Sequence, residues 1–291
     1  MAHLNKHRAL VLAGGGYVAS SWEIGLLSGM ADAGLDLRNA DLFIGTSAGA
    51  RVALDLTSGR PLEDTYKRRV EQTTPPTRPT PGAGPSIDWA RIKAGVDDAK
   101  QAGGTTSEIL RRYGALALAI APLLAADRRQ AVAAQLPLQS WPSQHVLITA
   151  INAETGERRT FDRDSGIDLV DAIIATTASF GAPPVSFEGH HYIDGGYHSG
   201  DNADLALGYD RVLILSLQTP PQAMRLVTLE TAVESLRASG SHVEIIHPDE
   251  ATTVALAPTG GQMNPASARP AAIAGRAQGQ REAERIAPFW R

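Results

Sequence analysis

The sequence predicts an α/β fold of three layers, in which a mostly parallel central sheet is covered by helices on both faces. Short runs rich in branched aliphatic residues alternate along the chain with segments of helical periodicity, and this alternation is typical of parallel strands joined by helices. The chain has 291 residues, of which 43% are hydrophobic and 20% charged, so it can bury a sizeable core without covalent staples.

The first elements follow one another directly. Residues 9–12 (ALVL) predict a buried strand, and three glycines separate it from a helical segment at 20–34. In that segment Trp22, Leu26 and Met30 recur at helical spacing. The other predicted strands are short, rich in branched aliphatic residues and followed by a polar or helical segment. They are expected at residues 41–44, 145–150, 192–193, 211–217 and 242–246.

The middle of the chain has a different character. Residues 73–85 form a Pro/Gly/Thr loop that cannot hold regular structure. Helices are expected on its C-terminal side at 87–101 and 105–135, and Thr105 with Glu108 fits a capping box at the start of the second.

These elements predict one domain, residues 1–291, with an inserted helical cap at residues 60–140; a separate domain is the less favoured alternative. A helix at 48–58 follows the second strand, and a hairpin between residues 152 and 161 adds one antiparallel excursion to the sheet. The Ala/Arg/Gln-rich residues 264–291 predict a surface helix with an irregular start.

The composition excludes several classes of function. The net charge is −4 at pH 7, so no global basic field favours a nucleic acid as partner. The chain has no cysteine, which excludes disulfides, thiolate metal sites and cysteine nucleophiles. The apolar run at 9–13 is too short for a signal peptide, and the longest apolar stretch, 114–126, is too short to span a bilayer. We expect a cytoplasmic protein that uses no metal or other cofactor.

A serine lies between two glycines where the second strand gives way to a helix. Gly45, Ser47 and Gly49 form a Gly-x-Ser-x-Gly sequence, which is the form of a nucleophile elbow. Small neighbours permit the sharp, strained turn and leave room for a substrate. The N-terminus of the following helix favours developing negative charge. The alternative is a glycine-rich turn with a helix-capping serine, but the preceding strand and following helix favour a nucleophile.

Three further glycines, Gly14, Gly15 and Gly16, follow the first strand directly. A nucleotide-binding turn is one interpretation, but the Gly-x-Gly-x-x-Gly spacing and the P-loop ending are both missing. The other interpretation is an oxyanion hole made of backbone N–H groups. If the first two strands are adjacent and parallel, both glycine turns open at the carboxyl edge of the sheet, where ligands bind. We therefore favour the oxyanion hole.

A carboxylate supplies the third candidate. Asp194 ends a short strand and is followed by Gly195 and Gly196. An Asp-Gly pair is usually only a turn. An acid at a strand end, beside glycines that allow close packing, is also suited to face the serine.

The three motifs together resemble the bacterial branch of the patatin-like phospholipase family. Further shared segments are WEIG at 22–25, APPV at 182–185, NADL at 202–205 and GYDRV at 208–212. The resemblance implies an α/β/α fold and hydrolysis of lipid acyl esters by a Ser–Asp dyad. It also implies roles for particular residues: Ser47 as nucleophile, Asp194 as base, and Gly14, Gly15 and Gly16 as the oxyanion hole.

One departure from the family pattern concerns charge. Many members have an arginine or lysine followed by glycine after the glycine motif, whereas here Val18 and Ala19 occupy the equivalent positions. A cation near the predicted oxyanion hole is therefore missing from this segment, which bears on affinity for a phosphate headgroup.

Several functions are compatible with the motifs. The first is an acyl hydrolase of lipid esters that makes peripheral contact with a membrane; an acyltransferase or thioesterase using the same serine is the second. A catalytically silent lipid- or nucleotide-binding protein is the third, and the intact serine and acid argue against it.

A catalytic triad is formally available through His198, His242 or His247. We expect Asp194 to act directly, because the glycines after it suit an acid pressed against the serine turn.

Overall fold

A computed structural model describes residues 7–71, 88–120, 128–217, 224–259 and 261–291. The loop expected at 73–85 lies outside these residues. Eight strands form one sheet. They are β1 Arg8–Leu12, β2 Leu42–Gly45, β3 Val146–Asn152, β4 Arg158–Phe161, β5 Val185–Phe187, β6 His190–Asp194, β7 Arg211–Leu215 and β8 His242–Ile246. Hydrogen-bonded neighbours follow one another in the order β5-β6-β3-β2-β1-β7-β8, and β4 also pairs with β3, on the edge opposite β2 and β6.

The sheet is mixed. Strands β3, β2, β1, β7 and β8 are parallel neighbours. The antiparallel part is larger than the one hairpin expected, because β6 pairs with β3 and β5 pairs with β6 in addition to the β3–β4 hairpin. The reason is length: β2 covers only residues 146–148 of β3, and β6 takes up the backbone groups of residues 150–152.

Helices cover both faces of this sheet, which confirms the predicted α/β/α layering. They are α1 Gly16–Asp32, α2 Ala48–Thr57, α3 Leu62–Glu71, α4 Trp89–Gln101, α5 Thr106–Ile120, α6 Arg128–Gln135, α7 Leu169–Thr176, α8 Leu229–Ala238, α9 Glu250–Leu256 and α10 Ala268–Trp290. Alternate residues of β1 show the two faces. Leu10 and Leu12 pack against α1, α2, α7 and α10, whereas Ala9 and Val11 pack with α8.

The middle segment supplies α3 to α6. The capping box at the start of α5 is present, since the Thr105 N–H donates to the Glu108 carboxylate at 2.7 Å and the Glu108 N–H donates to the Thr105 hydroxyl at 3.3 Å. The helix expected over 105–135 is described as two helices, with residues 121–127 outside the description. Helices α4 and α5 pack on Ile151 and Ile193 of the sheet. That residues 60–140 act as a cap stays a prediction.

The C-terminal helix α10 has the expected irregular start but is not simply a surface helix. Its glycines interlock with those of α1: a Cβ atom at Gly279 would collide with the Leu26 carbonyl, and one at Gly29 with the Arg276 carbonyl. Gly25 and Gly275 are equally confined. The two helices therefore touch backbone to backbone, which needs a small residue at each crossing point.

This contact predicts a large stability effect from a small substitution. We expect Gly279→Val to lower the unfolding free energy by about 3 kcal/mol, because the side chain would overlap the backbone of α1. The corresponding drop in melting temperature is roughly 6–10 °C. Ala277 is exposed on the same helix, so Ala277→Val is the matched control for the β-branched side chain. Equal melting temperatures for the two variants would contradict the close contact.

Candidate active site

Ser47 occupies the sharp turn between β2 and α2. Its backbone has φ 53° and ψ −111°, a conformation that non-glycine residues rarely adopt and that costs roughly 1–3 kcal/mol. The Thr176 hydroxyl, at the end of α7, accepts the Ser47 N–H at 2.9 Å. Gly45 and Gly49 have no space for a side chain, since a Cβ atom there would meet the backbone of α2 or β1. The turn therefore has the strained form of a nucleophile elbow.

The sheet topology brings Asp194 to this turn. Gly45, the last residue of β2, is opposite Ile148 of β3, and Asp194, the last residue of β6, is opposite Ala150. Strands β2 and β6 therefore pair with successive parts of β3, and their C-terminal ends face each other. Their C-terminal residues are two positions apart along β3, so the serine turn and the acid meet.

Asp194 is a buried carboxylate with few partners. Its side chain is 6% exposed, it accepts the Gly196 N–H at 2.8 Å, and it interacts with the Ser47 hydroxyl. Burial raises the pKa of Asp194 to about 6, against the opposing effects of Gly196, Ser47 and the charge of Arg225. A carboxylate with a raised pKa in contact with a serine hydroxyl is suited to take its proton near neutral pH.

Arg225 is a charged neighbour that the sequence analysis missed. Its guanidinium lies against Gly200, where a Cβ atom would collide with it, and its positive charge lowers the pKa of both Asp194 and Asp201. The carbonyl of Gly200 accepts the Gly14 N–H at 2.9 Å. Arg225 therefore reaches the junction of the glycine turn and the acid from a remote part of the chain.

Asn202 connects the serine turn to the segment that follows Asp194. It has a left-handed backbone conformation, and its side-chain amide donates to the hydroxyls of Thr46 at 3.0 Å and Thr149 at 3.2 Å. The same amide lies 3.4 Å from the Gly195 carbonyl oxygen. Asn202 and both threonines are fully buried. The NADL segment was the sequence signal for Asn202, but its role was not evident from the residues.

The glycine turn presents two unoccupied donors. Gly15 has φ 155° and Gly16 has φ 62°, and neither N–H donates to any residue that the structure describes. The Gly14 N–H already donates to the Gly200 carbonyl, and the Tyr17 N–H, the next donor along the chain, donates to the Gln262 carbonyl at 2.9 Å. Of the three glycines predicted for the oxyanion hole, Gly15 and Gly16 are thus the ones available in this state.

No histidine that the structure describes lies between the serine and the acid. His198 lies 3.4 Å from Arg158, and burial lowers the pKa of its imidazole. The Nδ1 atom of His247 is 2.7 Å from the Ser216 carbonyl oxygen, and His242 is exposed. Within the described ranges, no group of three or more His, Asp or Glu residues is arranged to hold a metal ion.

A cavity opens beside this constellation, between the start of α5 and the β3–β4 hairpin. Its volume is about 410 Å³, and its lining includes Leu110, Arg158 and His198 but neither Ser47 nor Asp194. The Arg158 guanidinium is paired with Asp204. Arg158 also donates to the Asn202 side chain at 3.0 Å, so the cavity lies next to the candidate site without containing the reacting groups.

The raised pKa of Asp194 predicts a pH dependence. Only the ionised carboxylate can accept a proton, so kcat/KM for a soluble ester should fall tenfold per pH unit below about 6. Arg225→Gln removes a charge that lowers this pKa, so the midpoint should move to higher pH. Arg225→Lys keeps the charge and should leave the midpoint closer to that of the wild type.

The midpoint alone does not identify the base, because an imidazole titrates in the same range. His198→Gln is the necessary control, and we expect the profile to persist in that variant. A profile that is flat from pH 5 to 8, or one that disappears in His198→Gln, would contradict titration of Asp194. Circular dichroism at each pH separates titration from unfolding.

Comparison with known proteins gives one family match. Residues 10–207 match the family model described as Patatin-like phospholipase. No curated protein matches the sequence. None of the helices that the structure describes is long and apolar enough to cross a membrane.

Solved structures of similar fold include the following two. The crystal structure of VipD from Legionella pneumophila is 14% identical, with a TM-score of 0.43, over 96% of this chain and 67% of that one. The crystal structure of the type III effector protein ExoU is 13% identical, with a TM-score of 0.40, over 97% of this chain and 53% of that one. This chain thus spans only about half of the ExoU chain.

Proposed function

This chain belongs to the patatin-like phospholipase family, and from that premise we propose that it is a serine hydrolase that cleaves acyl esters of lipids with a Ser–Asp dyad. The family match implies lipid acyl hydrolase chemistry in general. The finer assignment rests on one observation: the buried Asp194 carboxylate interacts with the hydroxyl of Ser47 at a strained strand-to-helix turn.

In the proposed first step, Asp194 takes the proton of Ser47 while the serine oxygen attacks the ester carbonyl. The carbonyl oxygen becomes an oxyanion, which the N–H groups of Gly15 and Gly16 stabilise. The intermediate collapses to an acyl-enzyme, and Asp194 passes its proton to the departing alcohol. A water then attacks the acyl-enzyme with Asp194 as base, which releases the acid and restores Ser47.

A carboxylate is a weak base for a hydroxyl, so the proposal needs compensating features. Burial raises the pKa of Asp194 to about 6, which makes it a stronger base than an exposed carboxylate. The Gly196 N–H holds the carboxylate in position. The N-termini of α1 and α2 both adjoin the site and favour the developing negative charge. The glycine turn then carries much of the catalysis.

The alternative functions differ from lipid ester hydrolysis in their products. An acyltransferase or thioesterase would use the same serine with another acceptor or a thioester substrate. A silent lipid-binding protein would form no acyl-enzyme.

A lipid substrate also implies peripheral contact with a membrane surface. The proposed chemistry itself requires neither this contact nor a cytoplasmic location.

The test is fatty acid release from lipid esters, with Ser47→Ala as the matched inactive control. Fluorophosphonate labelling followed by peptide mass analysis should place the adduct on Ser47. New esters formed when alcohols or lysolipids are added would indicate acyl transfer, and faster cleavage of thioesters than of oxygen esters would indicate a thioesterase. Absence of both label and product would leave only the binding role.

A further inference from the structure

Arg51 lies close to the proposed nucleophile. It belongs to the first turn of α2, four residues after Ser47, and it is partly exposed. Side chains on a helix tilt toward its N-terminus, so Arg51 extends back toward the level of Ser47. The two residues are separated by only about 6 Å of helical rise.

Arg51 is part of a cluster of basic side chains from several helices. It interacts electrostatically with Arg69 of α3, Arg128 of α6, Asp55 of α2 and Tyr17 in the first turn of α1. Tyr17 directly follows the glycine turn. The cluster therefore adjoins both the serine turn and the proposed oxyanion hole.

The carboxylate in this cluster is already paired with other arginines. Asp55 is 2.9 Å from Arg69 and 3.5 Å from Arg68. Arg128 donates to the Pro183 carbonyl at 2.9 Å, a neutral acceptor. Arg51 itself makes no hydrogen bond or ion pair with any residue of the described ranges. The cluster thus holds more positive than negative charge.

The excess charge has an energetic consequence. Burial, together with the nearby charge of Arg69, lowers the pKa of Arg51. A guanidinium nevertheless stays protonated in proteins. A partly buried charge with no hydrogen-bonded counter-ion of its own is unfavourable, so an anion that enters from solvent would find an unused, pre-positioned donor.

We propose that Arg51, with Arg128 within electrostatic range of it, forms a subsite that binds an anionic group of the substrate, next to the ester cleaved at Ser47. The inference rests on the proposed hydrolase function and names a substrate class, acyl esters with a phosphate or carboxylate close to the scissile bond. The subsite lies on α2 and α6, away from Val18 and Ala19, which supply no cation after the glycine turn.

The test compares three esters with the same acyl chain: 1-decanoylglycerol 3-phosphate, decanoyl glycolate and neutral 1-decanoylglycerol. We expect Arg51→Gln to lower the ratio of kcat/KM for an anionic ester to that for the neutral ester by tenfold or more, the usual scale of a charged hydrogen bond. Arg51→Lys should lower it less. A loss confined to the phosphate ester identifies a phosphate subsite, and a loss for both anions a general one.

Arg68→Gln is the matched control. It also removes one positive charge near Asp55, but the Arg68 side chain is 49% exposed, so the ratio should stay near the wild-type value. An unchanged ratio in Arg51→Gln, or an equal loss in Arg68→Gln, would overturn the subsite.

Binding to the Ser47→Ala variant separates this inference from the proposed reaction. If Arg51→Gln weakens calorimetric binding of 1-decanoylglycerol 3-phosphate tenfold in that background, the subsite holds even if the wild type cleaves no ester. Cleavage by the wild type without such a change means that the subsite is wrong and the hydrolase right. If neither is found, both are wrong.

Discussion

Ser47→Ala and Asp194→Asn are each expected to lower kcat/KM for ester cleavage by about 10⁴-fold or more, the scale of losing one member of a serine hydrolase's catalytic unit. The serine supplies the attacking oxygen, and the ionised carboxylate is its proton acceptor. Because each residue works only through the other, the double variant should be about as inactive as either single one. Release of p-nitrophenol from a short acyl ester measures all three.

Stability separates loss of chemistry from loss of fold. Burial raises the pKa of Asp194 from its ordinary 3.8 to about 6 in the folded protein. The folded state therefore binds this proton more tightly than the unfolded state, and stability falls as the pH rises from about 4 to 6. Above pH 6 the ionised group costs about 3 kcal/mol. Asp194→Asn should thus be at least as stable as the wild type at pH 8.

Substitution of the histidines tests whether the catalytic unit is a triad instead of a dyad. His198→Gln, His242→Gln and His247→Gln should each retain substantial turnover, because no described contact joins these rings to Ser47 or Asp194. A fall of several orders of magnitude in one of them, without a change in melting temperature, would establish a triad and remove the dyad.

Local patterns were sufficient for much of the fold. The runs at 9–12 and 242–246 became β1 and β8 with at most one residue of difference, because each is a short apolar stretch bounded by polar or glycine residues. The turn at Ser47 was equally local, since its strand, glycines and helix are consecutive. Burial and turn chemistry act over a few residues, so the sequence displays them directly.

Long-range contacts were less visible. Nothing local shows that β6 meets the end of β2 on the same edge of β3, although this meeting places Asp194 beside Ser47. Arg225 is distant from Asp194 in the sequence and comes close to it only in the folded protein. Pairing of distant strands depends on which backbone groups remain unpaired after the rest of the sheet has formed, and composition does not record that.

The C-terminal helix shows a signal that the sequence contained but that was not used. Gly25 and Gly29, and likewise Gly275 and Gly279, recur at a spacing of four residues, which puts each pair on one helical face. Two such faces can touch closely, and in the structure they do. The Ala/Arg/Gln-rich composition alone indicated a surface helix, because it does not show where small residues meet across two helices.

Gly15→Ala is expected to lower kcat for ester cleavage by about 10²- to 10³-fold, the usual effect of losing one oxyanion donor. Gly15 has φ 155°, and a Cβ atom there would lie 2.5 Å from Leu217 Cδ1 and 3.0 Å from Ala19 Cβ. The turn must shift to relieve this contact, and the shift turns the N–H groups of Gly15 and Gly16 away from the developing oxyanion. KM should change little, because the interaction strengthens only in the transition state.

Two controls make the oxyanion interpretation specific. Gly34 also has a positive φ, 81°, but open space around it and no place in the site, so Gly34→Ala measures the backbone cost alone and should leave turnover unchanged. Combining Gly15→Ala with Leu217→Ala removes the closest collision and should restore part of the lost kcat. Wild-type kcat in folded Gly15→Ala would show that this turn does not stabilise the transition state. Equal losses in kcat for Gly15→Ala and Gly34→Ala would mean that the effect comes from reduced stability.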